Sequence, residues 1–170
     1  MDAADEPLFR EFVAERSPAL MRLAFLLTGG DQHAAEDLVQ TALAKLAGRW
    51  RQVAAPEAYV RQTMYRQQVS WWRARGRRPE VVQPTLPERA ARDAHHQSEL
   101  RMMLRSALAR LTARQRAVLV LRYFEDLPEQ EVARVLGCSV GNVRSTAHRS
   151  LARLREIAPE LAQEMKEVAR

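Results

Sequence analysis

Apolar residues recur along the chain at intervals of three and four, and no stretch alternates convincingly, so the sequence predicts helices throughout. Leu8, Phe9, Phe12, Val13, Leu20, Leu23 and Leu27 mark a first helix, which Ser17-Pro18 is expected to kink or restart. Thr28-Gly29-Gly30 ends it, and Asp31 is placed to N-cap the next. Ala34, Ala35, Leu38, Val39, Ala42, Leu43 and Leu46 form the stripe of a second helix. After a short connection, Arg51–Pro56, a third runs from about Glu57 to Arg75, with Tyr59, Val60, Met64, Val69 and Trp72 as its apolar positions.

Residues 76–97 break the period, with Pro79, Pro84, Pro87 and Gly76 close together. So long an aperiodic stretch reads as a linker between two domains. Helical spacing returns at Glu99–Arg110, with Leu100, Met103, Leu104, Ala107, Leu108 and Leu111 inward. Thr112-Ala-Arg-Gln115 is a capping box that opens a helix through Ala117, Val118, Leu121 and Arg122. Asp126-Leu127-Pro128 starts a short helix carrying Val132, Ala133, Val135 and Leu136, which Gly137 caps. Ser139 then N-caps a last, long helix whose expected seam is Val140, Val143, Ala147, Leu151 and Leu154. The fold class is all-α, two small helical domains joined by a flexible linker.

Composition narrows the class. The 170 residues carry a net charge of +6 and are 46% hydrophobic, enough for a packed core. The longest apolar runs, Leu23–Leu27 and Ala117–Leu121, are far too short to cross a bilayer, and the acidic start MDAADEPLFREF is no secretory signal. One cysteine forms no internal disulfide, and no HxxxH or CxxC spacing offers a zinc site. No glycine loop for phosphate and no catalytic set appear, so the chain reads as a cytoplasmic protein that is not an enzyme, with no cofactor and no membrane insertion. Cys138, in the turn before the last helix, reads as a small packed residue.

The placement of charge carries more. Residues 1–48 have a net charge of −4, residues 49–78 of +7, and Ser139–Arg155 contains Arg144, Arg149, Arg153 and Arg155 with no acid. Two arginine islands are the expected footprint of phosphate binding. In the C-terminal island, Pro128–Arg155 has the parts of a helix-turn-helix, and its second helix presents Asn142, Arg144, Ser145, His148, Arg149 and Ala152 opposite the seam. Such a face suits the major groove, where arginine bonds guanine O6 and N7 together. The alternative is an antiparallel helix pair in a bundle. In the middle island, Tyr59, Tyr65, Trp71 and Trp72 interleave with Arg61, Arg66, Arg73, Arg75, Arg77 and Arg78, a pairing that tracks phosphates and stacks unpaired bases. Tyr59 or Trp72 is expected to belong to the core instead. Glu36, Asp37 and Gln40 beside Leu38, Val39 and Leu43 suit a protein partner, or are simply a solvated face. The residues alone leave open a polymerase specificity subunit, a DNA-binding regulator acting without being a polymerase subunit, and a helical adaptor.

Three segments carry a resemblance. AAEDLVQTALAKL (34–46), AYVRQTM…SWWRARGRR (58–78) and LTARQRAVLVLRYFEDLPEQEVARVLGCSVGNVRSTAHRSLARLRE (111–156) resemble the extracytoplasmic-function sigma factors of the sigma-70 family, in particular the small actinobacterial SigE-like type. The resemblance implies a sigma-2 domain over 1–76, a linker over 77–97, a sigma-4 domain over 98–156 and a C-terminal tail over 157–170. It implies that Glu36, Asp37, Leu38, Gln40 and Leu43 dock on the clamp coiled coil of the RNA polymerase β′ subunit. Loop 50–56 and the helix from Tyr59 would capture a flipped base of the −10 element, with Arg66, Trp71, Arg73 and Arg75 along its strand. Asn142, Arg144, Ser145, His148 and Arg149 would read the −35 element. Sigma-4 would also hold the β flap, and an anti-sigma factor would gate activity. Two positions depart from the family pattern: Arg66 replaces a common asparagine, and Thr146 replaces a common basic residue, which implies one lost DNA contact there.

Overall fold

The computed structural model describes residues 5–75 and 95–159, with side chains for 5–74 and 102–159. Every regular element among the described residues is helical. The chain divides into two compact units, Met1–Arg75 and Gly76–Arg170. Of the segment read as a linker, 77–94 lies outside the described residues, while His95, His96 and Gln97 already belong to a helix. Residues 160–170 of the expected tail are also outside them.

The first unit packs three helices, α1 (Asp5–Leu27), α2 (Gln32–Ala47) and α3 (Pro56–Arg75), with a single 3-10 turn at Trp50–Gln52. Its core joins Leu20, Leu23, Ala24 and Leu27 of α1 to Ala35, Leu38, Val39, Ala42 and Leu46 of α2 and to Val60, Met64, Tyr65 and Val69 of α3. The expected restart at Ser17-Pro18 does not occur, for α1 continues through Pro18. Pro18 has no N–H to offer Ala14 O, its helical acceptor, and in the same turn the Ser17 hydroxyl donates to Val13 O at 2.5 Å. The end of α1 is closed locally: Thr28 Oγ1 donates to Ala24 O at 2.9 Å, Gly30 N to Phe25 O at 2.9 Å, and Gly29 and Gly30 take φ of 74° and 83°. Asp31 then accepts from Ala34 N at 3.0 Å as the N-cap of α2. From α3, the buried Gln68 amide donates to Leu27 O at 3.0 Å, occupying a helix-end carbonyl that water cannot reach.

The second unit contains α4 (His95–Ala109), α5 (Ala113–Leu119), α6 (Glu129–Leu136) and α7 (Val140–Ile157). The capping box forms, with Thr112 accepting from Gln115 N and Gln115 Oε1 accepting from Thr112 N. The helix it opens does not stay α-helical, because Val120–Phe124 widens into a π turn. Glu125 N reaches Val120 O at 3.0 Å, Leu127 N reaches Leu121 O at 2.9 Å, and Asp126 takes a φ of 51°. Arg122 Nη1 donates to Leu127 O at 2.5 Å and holds this bend in place. Arg116 is 2% exposed and donates to Leu108 O at 2.9 Å, so an arginine closes the end of α4 from inside the core.

Candidate nucleic-acid interface

The turn between α6 and α7 is built by three backbone devices. Gly137 adopts φ 63° and ends α6, a left-handed conformation that glycine reaches without a Cβ penalty. Cys138, half-buried, donates its N–H to Ala133 O at 3.0 Å. Ser139 Oγ accepts from Asn142 N at 3.2 Å and starts α7. Buried Val132, Ala133, Val135 and Leu136 seat α6, and α7 packs against both α5 and α6. These are the parts of a helix-turn-helix with α7 as its second helix.

The buried line on α7 differs from the expected one. Val143, Thr146, Ser150 and Leu154 are buried, whereas Val140, Ala147 and Leu151 are half-buried. A helix covered by two neighbours turns inward the line between them, and small residues there let the helices close up. Ser150 tolerates full burial because its hydroxyl donates to Thr146 O at 2.6 Å. Thr146 therefore lies on the packed side of α7, where it also lines the edge of the outer face.

That outer face is as the sequence arranged it. Asn142, Arg144, Ser145, His148 and Arg149 are all exposed, while Ala152 is half-buried at its edge. Ser145 Oγ donates to Asn142 O at 3.2 Å and Arg149 Nε to Ser145 O at 3.2 Å, so two of the five side chains lie along the helix. Arg144 Nε donates to Glu129 Oε2, in the first turn of α6, at 2.6 Å. A depression of about 240 Å³ beside this face is lined by Thr112, Arg114, Gln115, Asn142, Thr146 and Arg149. Two arginines and no acid border it.

The first unit separates its candidates by burial. On α3, Arg66 and Arg73 are exposed and Tyr59 and Trp71 are half-buried, while the side chain of Arg75 lies outside the described residues. The aromatic that α3 commits to the core is Tyr65, at 5% exposure, and not Tyr59 or Trp72, both half-buried. Sequence reasoning also missed what holds the 50–56 loop. The Trp50 ring meets Phe9 edge-on at 5.2 Å and Phe12 at 5.7 Å, and Arg51 Nε pairs with Asp5 Oδ2 at 2.7 Å. Only the i, i+3 spacing of Phe9 and Phe12 hinted at an aromatic face near the start of α1. On α2, Asp37 and Gln40 are exposed, Leu43 is half-buried, and Glu36 is half-buried and accepts from Gln32 Nε2 at 2.7 Å. Leu38 is fully buried and Val39 nearly so. Leu38 thus packs α2 into the bundle and offers no surface to a partner, which corrects its expected role.

The geometry defines a class: two helical units, one a helix-turn-helix whose second helix turns an arginine-bearing face outward. Comparison with known proteins specifies it. Residues 12–78 match the model of sigma-70 region 2, and residues 101–154 match that of sigma-70 region 4. The RNA polymerase sigma-E factor of Streptomyces coelicolor is 44% identical over 151 residues, covering 87% of this chain and 84% of that protein. The ECF RNA polymerase sigma factor SigL of Mycobacterium tuberculosis is 31% identical over 169 residues, covering 94% of this chain and 93% of that one. Among solved structures, the sigma factor RpoE in complex with the anti-sigma factor NepR from Bartonella quintana aligns with a TM-score of 0.62 and 24% identity over 89% of this chain and 97% of that chain, a likeness of fold.

The chain belongs to the sigma-70 family, in its extracytoplasmic-function branch, and is an RNA polymerase sigma factor of the SigE-like type. Its family is a non-enzymatic initiation factor. Among the described residues, no group of three or more His, Cys, Asp or Glu side chains could hold a metal ion, and no helix is long and apolar enough to cross a membrane.

Proposed function

We propose that the two units grip separate promoter elements while mounted on core RNA polymerase. In this reading residues 1–76 form the sigma-2 part, 77–97 the linker and 98–156 the sigma-4 part. Arg144, Ser145, His148, Arg149 and Asn142 read the −35 element in the major groove. Loop 50–56 and Tyr59 receive a flipped base of the −10 element, with Arg66, Trp71, Arg73 and Arg75 on the displaced strand. Stacking and phosphate contacts there offset the unstacking of each base, about a few kcal/mol. Asp37, Gln40, Glu36 and Leu43 engage the β′ clamp coiled coil, the sigma-4 part engages the β flap, and an anti-sigma factor is a further partner. The observation that carries the reading is the α7 face, where every predicted base-reading side chain is exposed and backed by the buried line Val143, Thr146, Ser150 and Leu154.

Run-off transcription tests it directly. Core polymerase with this protein should yield promoter-dependent transcripts from a genomic promoter library, and core alone should not. Transcripts independent of the protein would refute the reading. The regulator alternative predicts specific binding by the protein alone without any gain in transcription from added core.

A further inference from the structure

The first residue of α6 touches the reading face of α7. Glu129 Oε2 accepts from Arg144 Nε at 2.6 Å, across fifteen residues of sequence. Among the described residues the Arg144 side chain makes no other ion pair or hydrogen bond, and both of its Nη groups have no partner there. A guanidinium is planar and carries its N–H donors in a fixed fork. Bonding through Nε leaves the Nη edge presented outward, and two parallel donors are what guanine O6 and N7 accept.

The carboxylate is the steadier partner. The Glu129 side chain is 26% exposed, against 67% for Arg144. It also sits in the first turn of α6, where the positive end of the helix favours an anion. The other two pairs of α6 and α7, Arg134 with Glu131 and Arg153 with Glu156, are each three residues apart within one helix and lie in solvent. Of these pairs, only Glu129–Arg144 links the short helix to the reading helix.

We propose that Glu129 is a positioning residue for base readout: it orients the Arg144 fork toward one guanine before DNA arrives. The inference rests on α7 reading the −35 element. Its physical basis is preorganisation, since an arginine already held in its binding rotamer loses less freedom on contact. Glu129 also brings a negative charge near phosphates, so its removal should lower discrimination without lowering general affinity. A purely structural role would lower both together.

Holoenzyme assembled from core polymerase and the full chain, transcribing a library with a randomised −35 segment, provides the test. Wild type must first yield an enriched motif; its failure to do so sinks the parent reading and is separate from the outcomes below. Arg144→Ala should erase the preference for one guanine. Glu129→Ala should reduce that same preference about three- to tenfold, a part of what a bidentate arginine supplies, with binding to random-sequence duplex unchanged or raised. Glu129→Gln, whose amide oxygen can still accept from Nε, should restore much of it. The double variant Glu129→Ala/Arg144→Ala should match Arg144→Ala alone, and Glu131→Ala should leave the motif unaltered. An unchanged motif in Glu129→Ala, an altered preference at a different base pair, or a uniform loss shared with Glu131→Ala would overturn the proposal.

Discussion

The outer face of α7 and the candidate faces of α2 and α3 are all predicted as binding surfaces, and burial treats them differently. All five predicted side chains on α7 are exposed. On α2 and α3 the predicted set splits: Asp37, Gln40, Arg66 and Arg73 are exposed, Tyr59, Trp71, Glu36 and Leu43 are half-buried, and Leu38 is in the core. The α7 set contains only polar side chains, whereas the other sets mix in aliphatic and aromatic ones. A polar residue on an amphipathic helix turns toward water unless the fold supplies it a hydrogen-bond partner inside, as it does for Gln68, Arg116 and Ser150. An apolar residue at the edge of the stripe serves either the core or a partner, and spacing alone does not decide which.

Four measurements break or sharpen this contrast, taken from the largest expected effect downward. Leu38→Ala should destabilise the first unit by about 2–5 kcal/mol, as for a fully buried leucine; chemical denaturation of the protein reads this. A loss of core-polymerase binding at unchanged stability would instead return Leu38 to the partner surface. Next, Arg144→Ala should cost about 1–3 kcal/mol of discrimination at one −35 base pair, read by competition between cognate and substituted duplexes, with no change in melting temperature. Asp37→Arg reverses a charge on exposed surface, so stability should hold while affinity for core polymerase falls about tenfold; undiminished pull-down would remove α2 from the interface. The smallest effect belongs to Arg66→Ala, which should lower the salt slope of promoter binding by about one contact. If the slope is unchanged but one −10 base is no longer preferred, Arg66 reads a base despite replacing the common asparagine.

Local devices were the most legible part of the fold. The Asp31 and Ser139 N-caps, the Thr112–Gln115 box and the Gly137 cap all form as read, because each closes within four residues of sequence. The restart signal at Ser17-Pro18 is overridden, since α1 runs on through Pro18 to Leu27. The π turn at Val120–Phe124 had no such signal, since its anchors, the Arg122–Leu127 bond and the φ of Asp126, serve the entry to α6 and not the helix it ends.

By itself, then, the amino-acid order determined the helices, their caps, the break between two units and the polar content of the outer face of α7, all of which follow from periodicity and short-range hydrogen bonding. Tertiary packing decided which line of each helix turned inward. It buried Thr146 and Ser150 ahead of Ala147 and Leu151, chose Tyr65 over Tyr59 and Trp72, placed Arg116 beneath α4, and brought Glu129 to Arg144. The reason is geometric: a helix has several lines of nearly equal hydrophobicity, and the neighbours that cover it, arriving from distant sequence, select among them.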